Sequence, residues 1–239
     1  MKNRLISRDL IVLDSRETLV PSVGSEELLS VCGIKNGNKA VSPEIRGTLK
    51  QVLEEAPALL SPGCVMKTCP VSSIEKDRVM LAYGQSFQGK SLGNLLEGSS
   101  SVFIACLTIG SKLEEEVSAL LEEKCFLKAY LLDAFGSVIV QKASKRVESL
   151  IADEARLQNL NTSVALSPGD FGWPLDGQRV IFNLVSAEKI DVELTDSFVM
   201  KPIKSITFIV GLGELVRQRH ESSCLYCSRK ESCLFKEAC

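Results

Sequence analysis

The chain has 239 residues, of which 45% are hydrophobic and 24% are charged; these values are typical of a globular protein with a substantial core and exclude a disordered or fibrous chain. Its net charge of -2 provides no positive field for nucleic acid, and its apolar runs are far shorter than the roughly 20 residues of a membrane span, so neither partner is expected. The first residues carry mixed charge and no apolar leader, which predicts a cytoplasmic protein.

Three helices are predicted from hydrophobic periodicity and capping residues. The first spans 42–56 and begins with a serine N-cap followed by a proline. The second spans 111–123, where Ser111 and Glu114 have the spacing of a capping box. The third spans 128–151, and its first half is apolar on almost all sides, so we expect that half to lie in the core.

Three strands are predicted from β-branched and alternating apolar residues. The run 101–107 is apolar, as expected of a strand that is buried on both faces. Apolar and polar residues alternate over 190–195 and again over 205–210, which predicts two half-buried antiparallel strands. Because helices and strand pairs follow each other without a regular β-α alternation, the predicted fold class is α+β.

A loop rich in proline and glycine is the most distinctive segment of the chain. Residues 166–175 contain two prolines, two glycines and the only tryptophan, Trp173. Proline restricts the backbone and glycine allows close approach, so we expect a rigid loop that presents backbone amides to a ligand. The alternative is a tight connection into a helix near Pro174, with Trp173 filling the core.

Several segments in a fixed order together resemble a known family. They are Thr108-Ile109-Gly110 after a buried strand, Leu132-Asp133-Ala134-Phe135-Gly136-Ser137 opening a helix, Ser167-Pro168-Gly169 with Trp173-Pro174-Leu175, and the run from Leu194 to Ser205 that continues into Ile209-Val210-Gly211-Leu212-Gly213. In this order the chain resembles the activation (reactivation) domain of cobalamin-dependent methionine synthase, in particular its stand-alone bacterial forms. The resemblance covers roughly residues 25 to 215, and the composition changes near Arg217, so we predict an activation-like domain, residues 1–215, and a cysteine-rich tail, residues 216–239.

The resemblance implies a curved α+β fold with a central antiparallel sheet flanked by helices. It implies an accessory protein that binds S-adenosylmethionine (SAM) in a shallow groove and assists the reductive methylation of a corrinoid methyltransferase. The implied partners are a corrinoid protein or cobalamin-dependent methyltransferase, which presents the cobalamin, and a flavodoxin or ferredoxin electron donor. Because SAM and the corrinoid carry the reaction, no catalytic residue is expected in a chain that has one histidine. The implied SAM site consists of Ser167, Pro168, Gly169, Asp170, Phe171 and Trp173.

The chain departs from the family pattern at three positions. The family loop usually reads Arg-x-x-Pro-Gly-Tyr, whereas this chain has Ala165 for the arginine and Asp170 for the tyrosine; Gln141 replaces a frequent glutamate. Loss of a charge-assisted contact to the ligand carboxylate weakens binding roughly 10- to 100-fold unless it is replaced. Phe171 could supply an aromatic ring, and Asp170 could oppose the sulfonium charge. The alternative function is that of a homologue that has lost SAM binding and acts as a metal-containing electron-transfer or corrinoid-binding partner.

Two further polar segments have alternative interpretations. Asp133 and Ser137 suit either the first turn of the long helix or contacts to a ligand. The run 201–205 is predicted to connect two strands, with lysines protecting an exposed edge. A contact to phosphate or to the corrinoid tail is the alternative for that run.

The end of the sequence is rich in cysteine, with four of the nine cysteines at Cys224, Cys227, Cys233 and Cys239. Four thiolates can form a zinc site or hold a 4Fe-4S cluster, and the spacing after the opening C-x-x-C identifies neither metal. A reduced tail with unpaired thiols, or a disulfide formed on oxidation, is the alternative. Cys64 and Cys69 are expected to be ordinary strand residues, and His220 to be solvated rather than a fifth ligand.

Overall fold

The structure, a computed structural model, describes residues 6, 9–34, 41–170 and 172–217, and these residues form a seven-stranded antiparallel sheet. The strands of the chain are β1 (Ile11–Leu13), β2 (Gly63–Glu75), β3 (Arg78–Leu81), β4 (Ser86–Gln88), β5 (Ser101–Thr108), β6 (Asn161–Thr162), β7 (Glu193–Leu194), β8 (Met200–Lys201) and β9 (Ser205–Gly213). The sheet order is β4-β3-β2-β5-β9-β6, and β1 also pairs with β2. Strands β7 and β8 form a separate hairpin.

The helices of the described residues lie on both faces of the sheet, and the longest of them packs with others on one face. They are α1 (Arg16–Leu19), α2 (Ser25–Val31), α3 (Pro43–Glu55), α4 (Leu92–Leu95), α5 (Lys112–Glu122), α6 (Phe126–Leu157) and α7 (Gln178–Leu184), with short 3₁₀ helices at Ala56–Leu59, Leu175–Gly177 and Ala187–Ile190. Helices α2, α3 and α5 all pack against α6. Within the described residues, no helix is both long enough and apolar enough to cross a membrane.

The sheet separates two apolar layers. Because alternate residues of a strand point to opposite faces, Phe103 and Ala105 of β5 join one layer while Ile104 and Cys106 join the other. The first layer lies beneath α6 and the helices that contact it. The second layer contains α7, the residues around α4, and Trp173 of the proline- and glycine-rich loop. An antiparallel sheet with helices packed on it confirms the predicted α+β class.

The predicted helices are all present, with different boundaries. Ser42 caps α3, since its hydroxyl accepts a hydrogen bond from the Ile45 amide at 3.2 Å. The capping box predicted for α5 is wrong, because the Ser111 side chain makes no capping bond and the Glu114 carboxylate accepts from the Ile203 amide instead. Helix α6 begins at Phe126 and ends at Leu157, so it is longer than predicted at both ends, and its first half is part of the core as expected.

The predicted strands differ more from the structure. Strand β5 is buried on both faces, as expected. Strand β9 was predicted to be half-buried, but it is buried along almost its whole length, because it lies between β5 and β6 with an apolar layer on each face. The strand predicted over 190–195 is wrong: a 3₁₀ helix ends at Ile190, Asp191 is left-handed (φ 55°), and only β7 follows. Residues 202–204 connect β8 to β9, as predicted.

Candidate functional site

The proline- and glycine-rich loop is fixed to the sheet at its start. Ser163 donates its amide to the Gly211 carbonyl at 2.9 Å, and its hydroxyl accepts from the Gly211 amide at 2.8 Å. Leu166 exchanges backbone hydrogen bonds with Ile209 of β9, at 3.0 and 2.9 Å. Ala165 lies between these contacts and packs against the first apolar layer. The loop therefore leaves the sheet at a defined point, just before Ser167.

Beyond this point the loop folds back on itself. The Asp170 amide donates to the Ser167 carbonyl at 3.0 Å, the Gly169 amide to the Trp173 carbonyl at 2.8 Å, and the Trp173 amide to the Asp170 carbonyl at 2.8 Å. Gly169 and Gly172 have positive φ values of 98° and 74°, which favour glycine. These bonds hold the described part of the loop in a compact turn. The amides of Gly169, Asp170 and Trp173 donate hydrogen bonds within the loop. These three amides are therefore not presented to a ligand, contrary to the expectation from the sequence.

Trp173 fills the second apolar layer, as in the alternative interpretation of the loop. Its side chain is 2% exposed, and its ring meets the Phe87 ring edge-on with 5.3 Å between centroids. Gly89 and Gly177 lie so close that a Cβ on either would come within 2.8 Å of Trp173. Trp173 therefore holds the loop in place from below. The indole nitrogen has no hydrogen-bond partner among the described residues.

The outer surface of the loop is small and polar. Gly169, Asp170 and Gly172 are exposed, Ser167 is half-buried and Pro168 is buried. Phe171 lies outside the described residues. A Cβ built on Gly169 would meet only the Leu175 side chain, at 3.6 Å, so the space above this glycine is open. Among the residues predicted to form the site, the exposed carboxylate of Asp170 thus lies next to the open surface of Gly169.

A second polar cluster joins α6 to the connection between β8 and β9. The Lys204 ammonium lies 2.7 Å from the Asp133 carboxylate and donates to the Ser137 hydroxyl at 2.7 Å. Of the two interpretations of Asp133 and Ser137, the first turn of a helix is wrong, because α6 begins at Phe126. Gly136, between Asp133 and Ser137 in the sequence, allows Leu113 of α5 to pack close to α6, since a Cβ on Gly136 would lie 2.8 Å from the Leu113 side chain. Sequence reasoning missed this ion pair because its partners are far apart in the chain.

Gln141 lies one turn beyond Ser137 on α6 and is partly buried. The helix packs against β5 and β9 of the sheet.

Three of the described cysteines are buried in the sheet, namely Cys64, Cys69 and Cys106. Cys64 and Cys69 lie in β2, as expected, and both are buried. Burial raises the pKa of the Cys64 and Cys69 thiols, and it raises the pKa of Cys106 to about 12. A buried, protonated thiol is neither a nucleophile nor a metal ligand. The described residues contain no group of three or more His, Cys, Asp or Glu side chains that could hold a metal ion. The metal prediction concerns Cys224, Cys227, Cys233 and Cys239, which lie outside the described residues, as does His220, which is expected to be solvated.

Comparison with known proteins identifies the fold. No family model matches the chain, and no curated protein matches it. Among similar solved structures is the crystal structure of the MetH reactivation domain bound to AdoHcy, with a TM-score of 0.60, 13% sequence identity, and coverage of 90% of this chain and 81% of that chain. The fold is that of the MetH reactivation domain. The similarity to the MetH reactivation domain confirms, at the level of the fold, the resemblance found in the sequence, including the curved antiparallel sheet with its flanking helices.

Proposed function

We propose that this protein binds SAM at the loop 167–173 and acts as an accessory protein in the reductive methylation of a corrinoid methyltransferase. The observation that carries the proposal is the fold shared with the MetH reactivation domain, whose crystal structure contains AdoHcy. AdoHcy is SAM without its transferable methyl group. The proposed partners are a corrinoid protein or cobalamin-dependent methyltransferase, which presents the cobalamin, and a flavodoxin or ferredoxin.

The exposed surface of the loop suits a ligand of this chemistry. Asp170 places an exposed carboxylate where it can face a sulfonium cation. Gly169 leaves open space next to the Leu175 side chain, which is 43% exposed and offers an apolar surface for an adenine ring. Trp173 and the internal hydrogen bonds of the loop hold these groups in one arrangement before a ligand arrives.

The chain's own contribution is binding and orientation. When bound, SAM supplies the methyl group and the partner's corrinoid accepts it after reduction by the electron donor. Ser167, Gly169 and Asp170 hold the ligand at the surface of the second layer, where a partner protein can reach it. No proton has to be removed by this chain, and burial raises the pKa of the Cys64 and Cys106 thiols, so neither is a ready base.

A reconstituted reactivation assay tests the proposal. A cobalamin-dependent methionine synthase fragment without its own activation domain is mixed with SAM, a reductant and the chain, and the methylated corrinoid is measured by its absorption. We expect the yield of methylated corrinoid to depend on the chain and to fall in Asp170→Lys. The control Glu188→Lys, which alters an exposed carboxylate on the 3₁₀ helix 187–190, should give the wild-type yield. Recovery that is the same with and without the chain would refute the accessory role.

A second proposed function is metal-dependent electron transfer through the cysteine tail. The clustering of Cys224, Cys227, Cys233 and Cys239 favours it, as does the absence of any cation in the loop sequence 163–174. Zinc and iron are measured in protein purified anaerobically, for the wild type, the double variant Cys224→Ser/Cys227→Ser, and the control Cys125→Ser, which alters an exposed cysteine outside the tail. We expect metal loss in the double variant alone; equal metal content in all three proteins would exclude a metal site in the tail.

A further inference from the structure

Lys90 is held against the candidate loop by a turn in which three consecutive backbone amides donate hydrogen bonds. Gly89 donates to the Asp77 carbonyl at 3.0 Å, Lys90 to the Gly172 carbonyl at 3.0 Å, and Ser91 to the Asp77 carboxylate at 2.7 Å. Ser91 adopts a left-handed conformation with φ 62°. The middle bond of the three joins the turn directly to the loop, so the position of Lys90 relative to the loop is defined by backbone contacts.

The side chain of Lys90 runs along the outer surface of the loop. A Cβ built on Gly172 would lie 3.0 Å from the Lys90 Cβ and 3.8 Å from its Cδ. The aliphatic stem of the lysine therefore covers the space that Gly172 leaves free. On the inner side, Gly89 meets the Trp173 backbone so closely that a Cβ there would lie 2.8 Å from the Trp173 Cα. The turn and the loop thus form one packed unit.

Lys90 forms no ion pair with any residue that the structure describes. It is exposed. The loop sequence 163–174 contains one acidic residue, Asp170, and no lysine, arginine or histidine. The loop sequence therefore supplies a carboxylate that suits a positive group of a ligand, but no cation that suits a negative group.

SAM carries both kinds of charge. Its sulfonium is positive, and the carboxylate at its amino-acid end is negative. A ligand carboxylate at an exposed protein surface is bound through a charge-assisted hydrogen bond to an ammonium or guanidinium group. The stem of Lys90 touches the loop at Gly172.

We propose that Lys90 binds the amino-acid carboxylate of SAM and of AdoHcy, and so makes the site selective for nucleosides that retain the amino-acid group. This inference rests on the proposed function of the loop. Lys90 acts in recognition and takes no part in the methyl transfer. Its removal is expected to weaken binding only of ligands that carry the carboxylate.

Two ligands separate this role from a general effect on the site. AdoHcy contains the amino-acid carboxylate, whereas 5′-methylthioadenosine has the same nucleoside and sulfur without it. Calorimetric titration gives the Kd of each ligand for the wild type, Lys90→Met, Lys90→Arg and the control Lys112→Met, which removes an exposed lysine at the start of α5. We expect Lys90→Met to raise the Kd of AdoHcy about 10-fold and that of 5′-methylthioadenosine less than about two-fold.

The remaining variants complete the test. Lys90→Arg should keep most of the affinity for AdoHcy, and Lys112→Met should bind both ligands like the wild type. Equal losses for the two ligands in Lys90→Met, or no loss for either, would overturn the role of Lys90 while leaving SAM binding by the loop intact. A wild-type chain that binds neither ligand would overturn both proposals.

Discussion

Replacing Gly89 by alanine tests whether the turn and the loop are packed as one unit. The added Cβ would lie 2.8 Å from the Trp173 Cα, 3.0 Å from its Cβ and 3.2 Å from its Cδ1. Carbon atoms in favourable contact are roughly 3.5–4.0 Å apart, so the two backbones must separate by several tenths of an ångström. Trp173 cannot retreat freely, because its ring packs on Phe87 and its carbonyl accepts the Gly169 amide.

Overpacking of this kind costs about 2 kcal/mol of unfolding free energy. For a chain of this length that loss lowers the Tm by roughly 4–8 °C. Because the displaced residue anchors the loop, we also expect Gly89→Ala to bind SAM more weakly. Thermal unfolding followed by circular dichroism, and titration with SAM, measure the two effects.

Gly47→Ala is the matched control. Gly47 lies in α3 with no atom within 4 Å of an added Cβ, so alanine should raise the stability of this helix by about 1 kcal/mol, the difference in helix propensity. The two substitutions should therefore change the Tm in opposite directions. A Gly89→Ala protein with the wild-type Tm and unchanged SAM affinity would refute the close contact between the turn and the loop.

Three further predictions concern charges and thiols. Lys204→Met removes the ion pair with half-exposed Asp133 and should cost about 1 kcal/mol at low salt, less at 1 M salt; an unchanged Tm in low salt would contradict this. The free energy of unfolding should fall above about pH 9, by up to about 1.4 kcal/mol per pH unit for each buried thiol. The reason is that thiols of the unfolded chain lose their protons, whereas Cys106, with a pKa of about 12, keeps its proton in the folded protein. Denaturant unfolding of Cys106→Ala should show a shallower decline with pH, and a slope equal to that of the wild type would contradict this prediction. Asp170→Asn should weaken SAM about two- to five-fold and leave AdoHcy unaffected, since AdoHcy lacks the sulfonium charge; equal weakening of both would exclude that role.

Local sequence patterns predicted those parts of the fold that depend on local physics. The serine cap and apolar stripe of α3, and the uninterrupted apolar run of β5, are sufficient to define these elements. The alternation of apolar and polar residues over 190–195 wrongly predicted a strand. A 3₁₀ helix followed by a left-handed Asp191 also buries Ile190 and Val192 and leaves the residue between them exposed. Burial alternation is therefore shared by strands and by some tight turns.

The candidate site was predictable only in part. Proline and glycine indicated a rigid loop at 166–175; the described loop amides of Gly169, Asp170 and Trp173 are used in the loop's own hydrogen bonds. Lys90 could not be found from sequence, since it is some eighty residues from Gly172 and has no motif around it. The same holds for the ion pair between Lys204 and Asp133, which depends on how α6 packs against the sheet connection. Contacts between distant segments are fixed by tertiary packing, which no local pattern encodes.

The central claim is that the loop 167–173 binds SAM, and calorimetric titration of the anaerobically purified chain with SAM tests it most directly. The account predicts saturable binding at one site with a micromolar Kd. It also predicts that Gly89→Ala weakens this binding, because that substitution displaces Trp173 beneath the loop. No saturable heat up to millimolar SAM, from a protein that unfolds cooperatively, would contradict the claim and leave the cysteine tail as the proposed functional part of the chain.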